Sequence, residues 1–519
     1  MPIEQNQTSL ERYLNIVSTN QMFNDYQQRW QFYLESYLGG EEYRQAGHLT
    51  QYQLETKLEY QARLNSTPLD NHCKSIISTY VSFLFRQSPE REFGSLEYNP
   101  MVEDFCYDAD LEGRSLDAFM KDVSIWAGVF GHCWVLVTRP DIGAATLADQ
   151  IQMGSRPYVN LLTPLTVLDW QWKRSPTGRY ELSYMKYIEE INDSMSTIKE
   201  WTADTIITSV VDTKQRMLRE EYTEVNGLGM IPAVQVYSTR SPIRGIGSSD
   251  LSDIADQQRA IYNEYSEIEQ LIRLQNHPAL VKTADTEAGA GAGAIIMMPD
   301  NIDPGLKPFL LEPAGNGLSH IYDSIAARVA AIDKMAHTSG VRTTKTQAVS
   351  GVSLQTEFAL LNSKLSEKAD QLELAEEQIW KLFAAYMGTE FDGEIEYPDS
   401  FDIRDEEQTF ANLKMARDTA TDPTVLRVVD EQLMELLGEE KERLPFIDPN
   451  PQTGRTYSDG EPIPDSLPNA YVSSTDPMVP AGQNCGNCEY YKPGELYCMK
   501  FDAPVRSVFW CAKWEPQED

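Results

Sequence analysis

The sequence predicts a mixed α+β protein built from several modules, and three observations carry that prediction. Apolar and aromatic residues recur at spacings of three and four over residues 21–38, 251–272 and 354–387, the pattern of amphipathic helices. Residues 156–239 instead show period-two and β-branched runs, the pattern of strands. At 519 residues the chain exceeds what one typical core accommodates.

The elements follow in order. Phe23, Tyr26, Trp30, Tyr33, Leu34 and Tyr37 mark the stripe of a first helix, which Gly39 and Gly40 end. After a polar stretch, Pro68 opens a second helix through LDNHCKSIISTYVSFLF, stopped by Pro89. A third helix is predicted over residues 116–130, and Gly131 leads from it into the short buried strand WVLVT. The runs VNLLTPLTVLDWQW, YELSYMKYI, STIKEWT, TIITSVV and MIPAVQVYS read as antiparallel strands, with turn signals such as Ser175-Pro176-Thr177-Gly178 between them.

Small residues and a Ser/Asp N-cap in SPIRGIGSSDLSD then open a long helix with Leu251, Ile254, Ala255, Ile261, Tyr262, Tyr265, Ile268, Leu271 and Ile272 on one stripe. Short strands return over residues 277–313 around EAGAGAGAIIM. That glycine-rich run lacks the Gly-Lys-Ser/Thr of a phosphate-binding loop and reads as an exposed turn. A helix over residues 318–337, the loop TSGVRTTKTQAVSGVS, and a very long helix over residues 354–387 complete the predicted core. The last carries Phe358, Leu361, Leu365, Ala369, Leu372, Ile379, Leu382 and Phe383 on its stripe.

Composition excludes several classes. A hydrophobic fraction of 41% excludes a wholly disordered chain. No apolar run reaches the roughly 18 residues that a bilayer requires, and MPIEQNQTSLERYLNIV lacks the regions of a signal peptide, so a protein made in a cytoplasm is expected. A net charge of −35 argues against a protein that wraps duplex DNA on a basic surface, although not against one that lets DNA pass. There are six histidines and no HExxH or GxSxG; His72 and Cys73 sit inside an apolar helix, so no catalytic site is expected.

Charge is unevenly distributed. Residues 338–353 hold no acid but carry Arg342 and Lys345, flanking Thr343 and Thr344, in a chain with 79 acidic residues. Such a loop can touch a phosphate backbone weakly and without reading sequence. Residues 388–484 hold 22 acids against 7 bases, a balance that would repel DNA and let it slide if the region surrounded it.

Cys73, Cys106 and Cys133 are scattered in or beside apolar segments and read as buried thiols. Cys485, Cys488, Cys498 and Cys511 instead form C-x2-C-x9-C-x12-C, a spacing that can converge on one metal centre. With no secretory signal, disulfides are the less expected use. Zinc and an iron–sulfur cluster both stay open on spacing alone. Residues 448–483, rich in Pro, Ser, Thr and Gly, read as a tether to this small module, which cannot fold without a staple.

The order long helix, small insertion, helix, polar loop, very long helix resembles the core of tailed-bacteriophage portal proteins. So do the aromatic first helix, the strand LLTPLTVLDWQW, IPAVQVYS leading into GIGSSDLSDIADQQRAIYNEY, and SLQTEFALLNSKLSEKADQLELAEEQIW. The resemblance implies a portal-type fold. N-terminal helices and a β-rich wing would span 1–246, stem helices 247–274 and 318–337, a small α/β clip 275–317, a tunnel loop 338–353, a long wing helix 354–400, and a helical crown 401–447. The linker 448–483 and the cysteine module 484–519 would follow.

It further implies a non-enzymatic, dodecameric homo-oligomeric ring at a capsid vertex. Double-stranded DNA would pass through it during packaging and ejection, with Arg342, Thr343, Thr344 and Lys345 facing that DNA. Terminase, a head–tail adaptor and the major capsid protein are the implied partners. The implied location is the virion, after assembly in the host cytoplasm, with no membrane.

The cysteine segment, with C-x-N-C-x-Y-Y and a terminal Trp510-Cys511, resembles high-potential iron–sulfur proteins. This implies a 4Fe–4S cluster on Cys485, Cys488, Cys498 and Cys511, lined by Tyr490, Tyr491, Phe501, Phe509, Trp510 and Trp514. The interval between the second and third cysteines is shorter than in that family, and zinc remains the alternative. The rival reading of the whole chain, an iron–sulfur redox protein with a large non-portal domain, predicts a second cofactor motif that the sequence lacks.

Overall fold

The computed structural model describes residues 9–140, 155–276, 279–281, 303, 309–311, 316–342 and 351–401, scattered positions between 413 and 433, and 463–516 with gaps. The chain divides into two compact units, Met1–Asp402 and Ile403–Asp519.

The first unit begins with helices Ser9–Ile16 (α1), Gln21–Leu38 (α2), Gly40–Gln45 (α3), Lys57–Ser66 (α4), His72–Leu84 (α5), Pro100–Tyr107 (α6) and Leu116–Phe130 (α7). Local chemistry sets their starts. Asn20 accepts from the Phe23 amide at 2.6 Å. Asn71 and Ser115 do the same for α5 and α7. Each such cap satisfies a backbone donor that would otherwise be orphaned, worth about 1 kcal/mol.

The polar stretch after Gly40 proves to contain α3 and α4. The reciprocal capping box of Thr56 and Glu59 that starts α4 was legible in sequence as Thr-x-x-Glu. Likewise Asn99 and Pro100 announce α6. The aromatic stripe of α2 faces the core, where Trp30 stacks on Tyr26 and meets Phe23 and His132 edge-on.

Helix α7 ends at Gly131, whose left-handed conformation (φ 90°) lets its amide donate to Ala127 O at 2.7 Å. The chain then enters the core strands. Strands Glu90–Glu92 (β1), His132–Thr138 (β2), Tyr158–Leu162 (β3), Val167–Arg174 (β4), Tyr180–Asn192 (β5), Met195–Trp201 (β6), Thr205–Asp212 (β7), Met217–Val225 (β8) and Ala233–Tyr237 (β9) are described. Strand β2 lies between β3 and β9 in an antiparallel sheet, and β4 to β8 form a five-stranded antiparallel meander. Trp134 of β2 stacks on Trp172 of β4, so the faces of the two sheets share one core. Strand β8, MLREEYTEV, escaped the sequence reading because it is a charged edge strand, exposed along most of its length.

Thr239–Arg240 (β10) pairs with Gly247–Ser248 (β11), and Ile254–Asn276 (α8) follows. Gly247 presses on Gly131: a Cβ at 247 would lie 2.0 Å from the Gly131 carbonyl oxygen. Only a pair of glycines lets the two backbones approach so closely. Ala279–Val281 (β12) pairs antiparallel with Phe309–Leu311 (β13), and Asn316–Met335 (α9) returns beside α8. Arg328 and Ser324 of α9 both reach Glu264 of α8, at 2.9 and 2.8 Å.

After Ser339–Arg342 (α10), Gly351–Met387 (α11) runs across α5, β2, β9 and β10. Glu394–Glu396 (β14) closes the unit against β1. Buried polar contacts fasten α11. Lys368 reaches Asp250 at 2.6 Å and also bonds Ser238, and Arg91 reaches Glu376.

In the second unit, Val472–Ser473 (β15) pairs with Phe509–Trp510 (β19). Tyr491–Lys492 (β16), Tyr497–Cys498 (β17) and Ala503–Pro504 (β18) form a small antiparallel sheet with β17 central. The EAGAGAGAIIM turn lies outside the described residues, as do most of the expected crown and most of the linker. Among the described residues no helix is long and apolar enough to cross a membrane.

Candidate functional site

Two sets of residues carry the chemistry singled out in the sequence, one in each unit. The first is the cationic segment after α9. That helix ends in a tight turn: His337 adopts a positive φ of 56°, and the Thr338 amide returns to Asp333 O at 2.9 Å. The chain does not leave as an open loop. It winds into α10, with the Arg342 amide on Thr338 O at 2.9 Å.

Arg342 is therefore a helical residue with committed hydrogen bonds. Its Nη1 donates to Asp333 Oδ1 at 2.7 Å and its Nη2 lies 2.9 Å from His72 Nδ1 on α5. The guanidinium is only 14% exposed and Asp333 is buried. Within the chain, the Asp333 carboxylate offsets the Arg342 charge. Thr343, Thr344 and Lys345 lie outside the described residues.

The second set is the four cysteines. Cys485 opens a single 3-10 turn, Cys485–Asn487, in which Asn484 and Asn487 cap each other and the Cys488 amide donates to Cys485 O at 3.2 Å. Gly486 donates to Ser507 O, which holds this knuckle against the turn before β19. Cys498 comes from the central strand β17, and Cys511 follows β19 directly. All four are buried and none is in a disulfide.

The four sulfurs line one pocket together with Tyr490, Tyr491, Phe501, Val505 and Trp514. Of the aromatic residues expected there, Phe509 and Trp510 are elsewhere. Phe509 stacks on Tyr471, and Trp510 donates to Gln483 at 2.9 Å. Trp514 is fixed from behind the knuckle by hydrogen bonds to Asn484 O and Asn487 Oδ1.

Electrostatics agree with the convergence. Burial pushes the Cys485 thiol up to about 12, and Cys511, Cys488 and Cys498 add to the shift. Burial, with Cys488 and Cys498, raises Cys511 as well. Thiols that oppose one another's ionisation face a common space. Without a cation beside them, the Cys485 and Cys511 thiols stay protonated at neutral pH.

The donor set, four cysteines lining one pocket, suits a thiolate-bound centre. A tetrahedral zinc holds sulfur at about 2.3 Å, which brings the sulfurs about 3.8 Å apart and leaves no room between them. Among the described residues no group of three or more His, Cys, Asp or Glu is placed to hold a metal ion. The pocket encloses about 10 Å³, on the order of one water-sized sphere, room for a single ion rather than for four irons and four sulfides.

No family model matches the chain, and no curated protein matches it. Among solved structures it is similar to a chain from the neck of an empty GTA particle computed with C6 symmetry, at 10% identity and a TM-score of 0.41, over 76% of this chain and 99% of that one. It is similar also to a chain of the virion of the native gene transfer agent (GTA) particle, at 10% identity and a TM-score of 0.37, over 70% and 85%. A third likeness is to the neck of the native GTA particle computed with C12 symmetry, at 10% identity and a TM-score of 0.35, over 69% and 89%. With TM-scores below 0.5, these likenesses are too loose to place the chain in a family.

Proposed function

We propose that the chain is the subunit of a portal-type ring, a non-enzymatic conduit for double-stranded DNA at a capsid vertex. The observation that carries the reading is the order of elements from α8 to α11. Two helices, tied side by side through Glu264, Ser324 and Arg328, bracket a small strand pair, and a 37-residue helix then returns over the β-rich body. Helix pairs of this kind can stand side by side around an axis, with the strand pair at one end and the β-rich body outside.

In this reading α8 and α9 are the stem. The β12–β13 pair belongs to the clip that would meet terminase and then a head–tail adaptor, α11 is the long wing helix, and residues 338–353 face the channel. The major capsid protein would surround the wing. Because Arg342 is neutralised by Asp333, Lys345 is the cation assigned to passing phosphates. Acidic surroundings keep that contact weak, and the chain's net charge of −35 supplies them.

The four cysteines are assigned to a 4Fe–4S cluster that staples the C-terminal module, with zinc as the alternative. Such a cluster supplies a fixed cross-link between the knuckle, β17 and the chain after β19. What supports a metal centre of either kind is that all four cysteines line one pocket.

The test is assembly. Mass photometry and negative-stain imaging of the purified chain should show closed rings with a central channel. A folded monomer or dimer under the same conditions would overturn the reading. In such rings Lys345→Glu should lower DNA retention in particles without changing ring assembly.

A further inference from the structure

Three elements meet at Arg342. Its Nη1 binds Asp333 of α9, its backbone belongs to α10, and its Nη2 lies 2.9 Å from Nδ1 of His72, the first residue of α5. An arginine can only donate. His72 Nδ1 must therefore accept, which fixes the imidazole as the neutral tautomer with its proton on Nε2. That nitrogen faces Asp70 Oδ2 at 3.3 Å.

We propose that His72 is a proton-operated latch on α10. When neutral, it accepts from Arg342 and holds α10 against α5. When protonated, it can no longer accept and becomes a cation beside the guanidinium, so α10 is released. The inference concerns contacts within one subunit and stands whether or not the chain forms a ring.

The surroundings favour the closed, neutral state. Burial lowers the affinity of His72 for a proton and Arg342 lowers it further, while Asp70 and Asp333 oppose them; the net shift is downward. Helices α2, α7, α8 and α11 also pack on α5. The Tyr37 carbonyl of α2 accepts from Asn71 at 3.0 Å, α7 brings Gly128 against Ile77, and none of the charged groups acting on His72 (Asp70, Arg342, Asp333) comes from either helix. From α8, Gln258 accepts from the Cys73 amide at 2.8 Å. From α11, Lys364 and Lys368 face Tyr80 and Asp250. The sign follows. The closed state binds the proton less readily than the open one, so the latch is closed above about pH 6.5, the ordinary histidine value, and weakens below it.

Hydrogen exchange on the full chain at pH 7.5, 6.5 and 5.5, corrected for intrinsic rates, reads the opening directly at the Val341 and Arg342 amides, which bond to Thr338 O. The open fraction should rise on acidification by at most about tenfold per pH unit, the limit for one proton. His72→Asn keeps an acceptor but cannot titrate, so it should hold protection flat over this range. Arg342→Met removes the donor, so α10 should exchange fast at every pH and with no pH dependence. Flat exchange in the unaltered protein would overturn the proposal. So would a His72→Asn or Arg342→Met protein that retains the original pH dependence.

Discussion

Replacing Arg91 by Met strands a carboxylate at the centre of the first unit. Glu376 on α11 is fully buried. It accepts from Arg91 Nε at 2.5 Å, Arg91 Nη2 at 3.3 Å, Tyr397 OH at 2.6 Å and Trp380 Nε1 at 3.4 Å. Burial alone would lower the Arg91 pKa, but Glu376 outweighs it and the net shift is upward. Removing one partner of a buried pair costs about 3–5 kcal/mol, because the other charge is left without compensation.

Here Tyr397 and Trp380 remain, so the lower end, about 3 kcal/mol, is expected for Arg91→Met. With about 2.1 cal/mol/K of unfolding entropy per residue, the unit Met1–Asp402 should lose about 4 °C in Tm. The double variant Arg91→Met with Glu376→Leu should recover at least half of that loss, since an apolar replacement of a buried pair is often neutral. Scanning fluorimetry and urea unfolding of the three proteins measure both effects. A single variant within about 0.5 kcal/mol of the parent, the range of an ordinary surface substitution, would refute the reasoning. A double variant no better than the single one would refute it too.

Two further outcomes follow from the buried charges and thiols. Lys368→Met should destabilise at pH 7 by about 3–5 kcal/mol, because Asp250 loses its closest cation. Burial would raise the Asp250 pKa, but Lys368 and Lys364 outweigh it and hold it low. Its contribution is therefore full above about pH 4 and lost as pH falls through the depressed value, so unfolding curves of parent and variant should converge in acid. In the cysteine module, thiols this hard to ionise must release protons when a metal centre binds. Anaerobic loading in a weakly buffered indicator should register that release, and Cys488→Ser should reduce both metal content and proton yield while leaving the Tm of the first unit unchanged.

Much of the fold was legible because one-dimensional periodicity reports local structure. The aromatic stripe of α2, the α7–Gly131–β2 passage and the runs of α8, α9 and α11 each show their buried face in the spacing of apolar residues. The elements that escaped include α1, α3, α4, α6 and β8, which are short or charged. They were marked only by capping residues or not at all. The four cysteines were legible for the same local reason, since few uses require four thiols so close in sequence.

What the chain determined by itself, then, is its mixed α+β class, its long helices, the acid-free segment after α9 and the set of sulfurs. Tertiary structure alone decided which charges are spent. Arg342 stood in an acid-free stretch and read as a loop cation, yet folding brings it to Asp333 nine residues earlier and to His72 some 270 residues earlier. Likewise the pattern of cysteines could not say that all four would line one pocket, with Tyr490, Tyr491, Phe501, Val505 and Trp514 and without Phe509 and Trp510. Both depend on distances between segments remote in sequence, and such distances are set by packing rather than by any local periodicity.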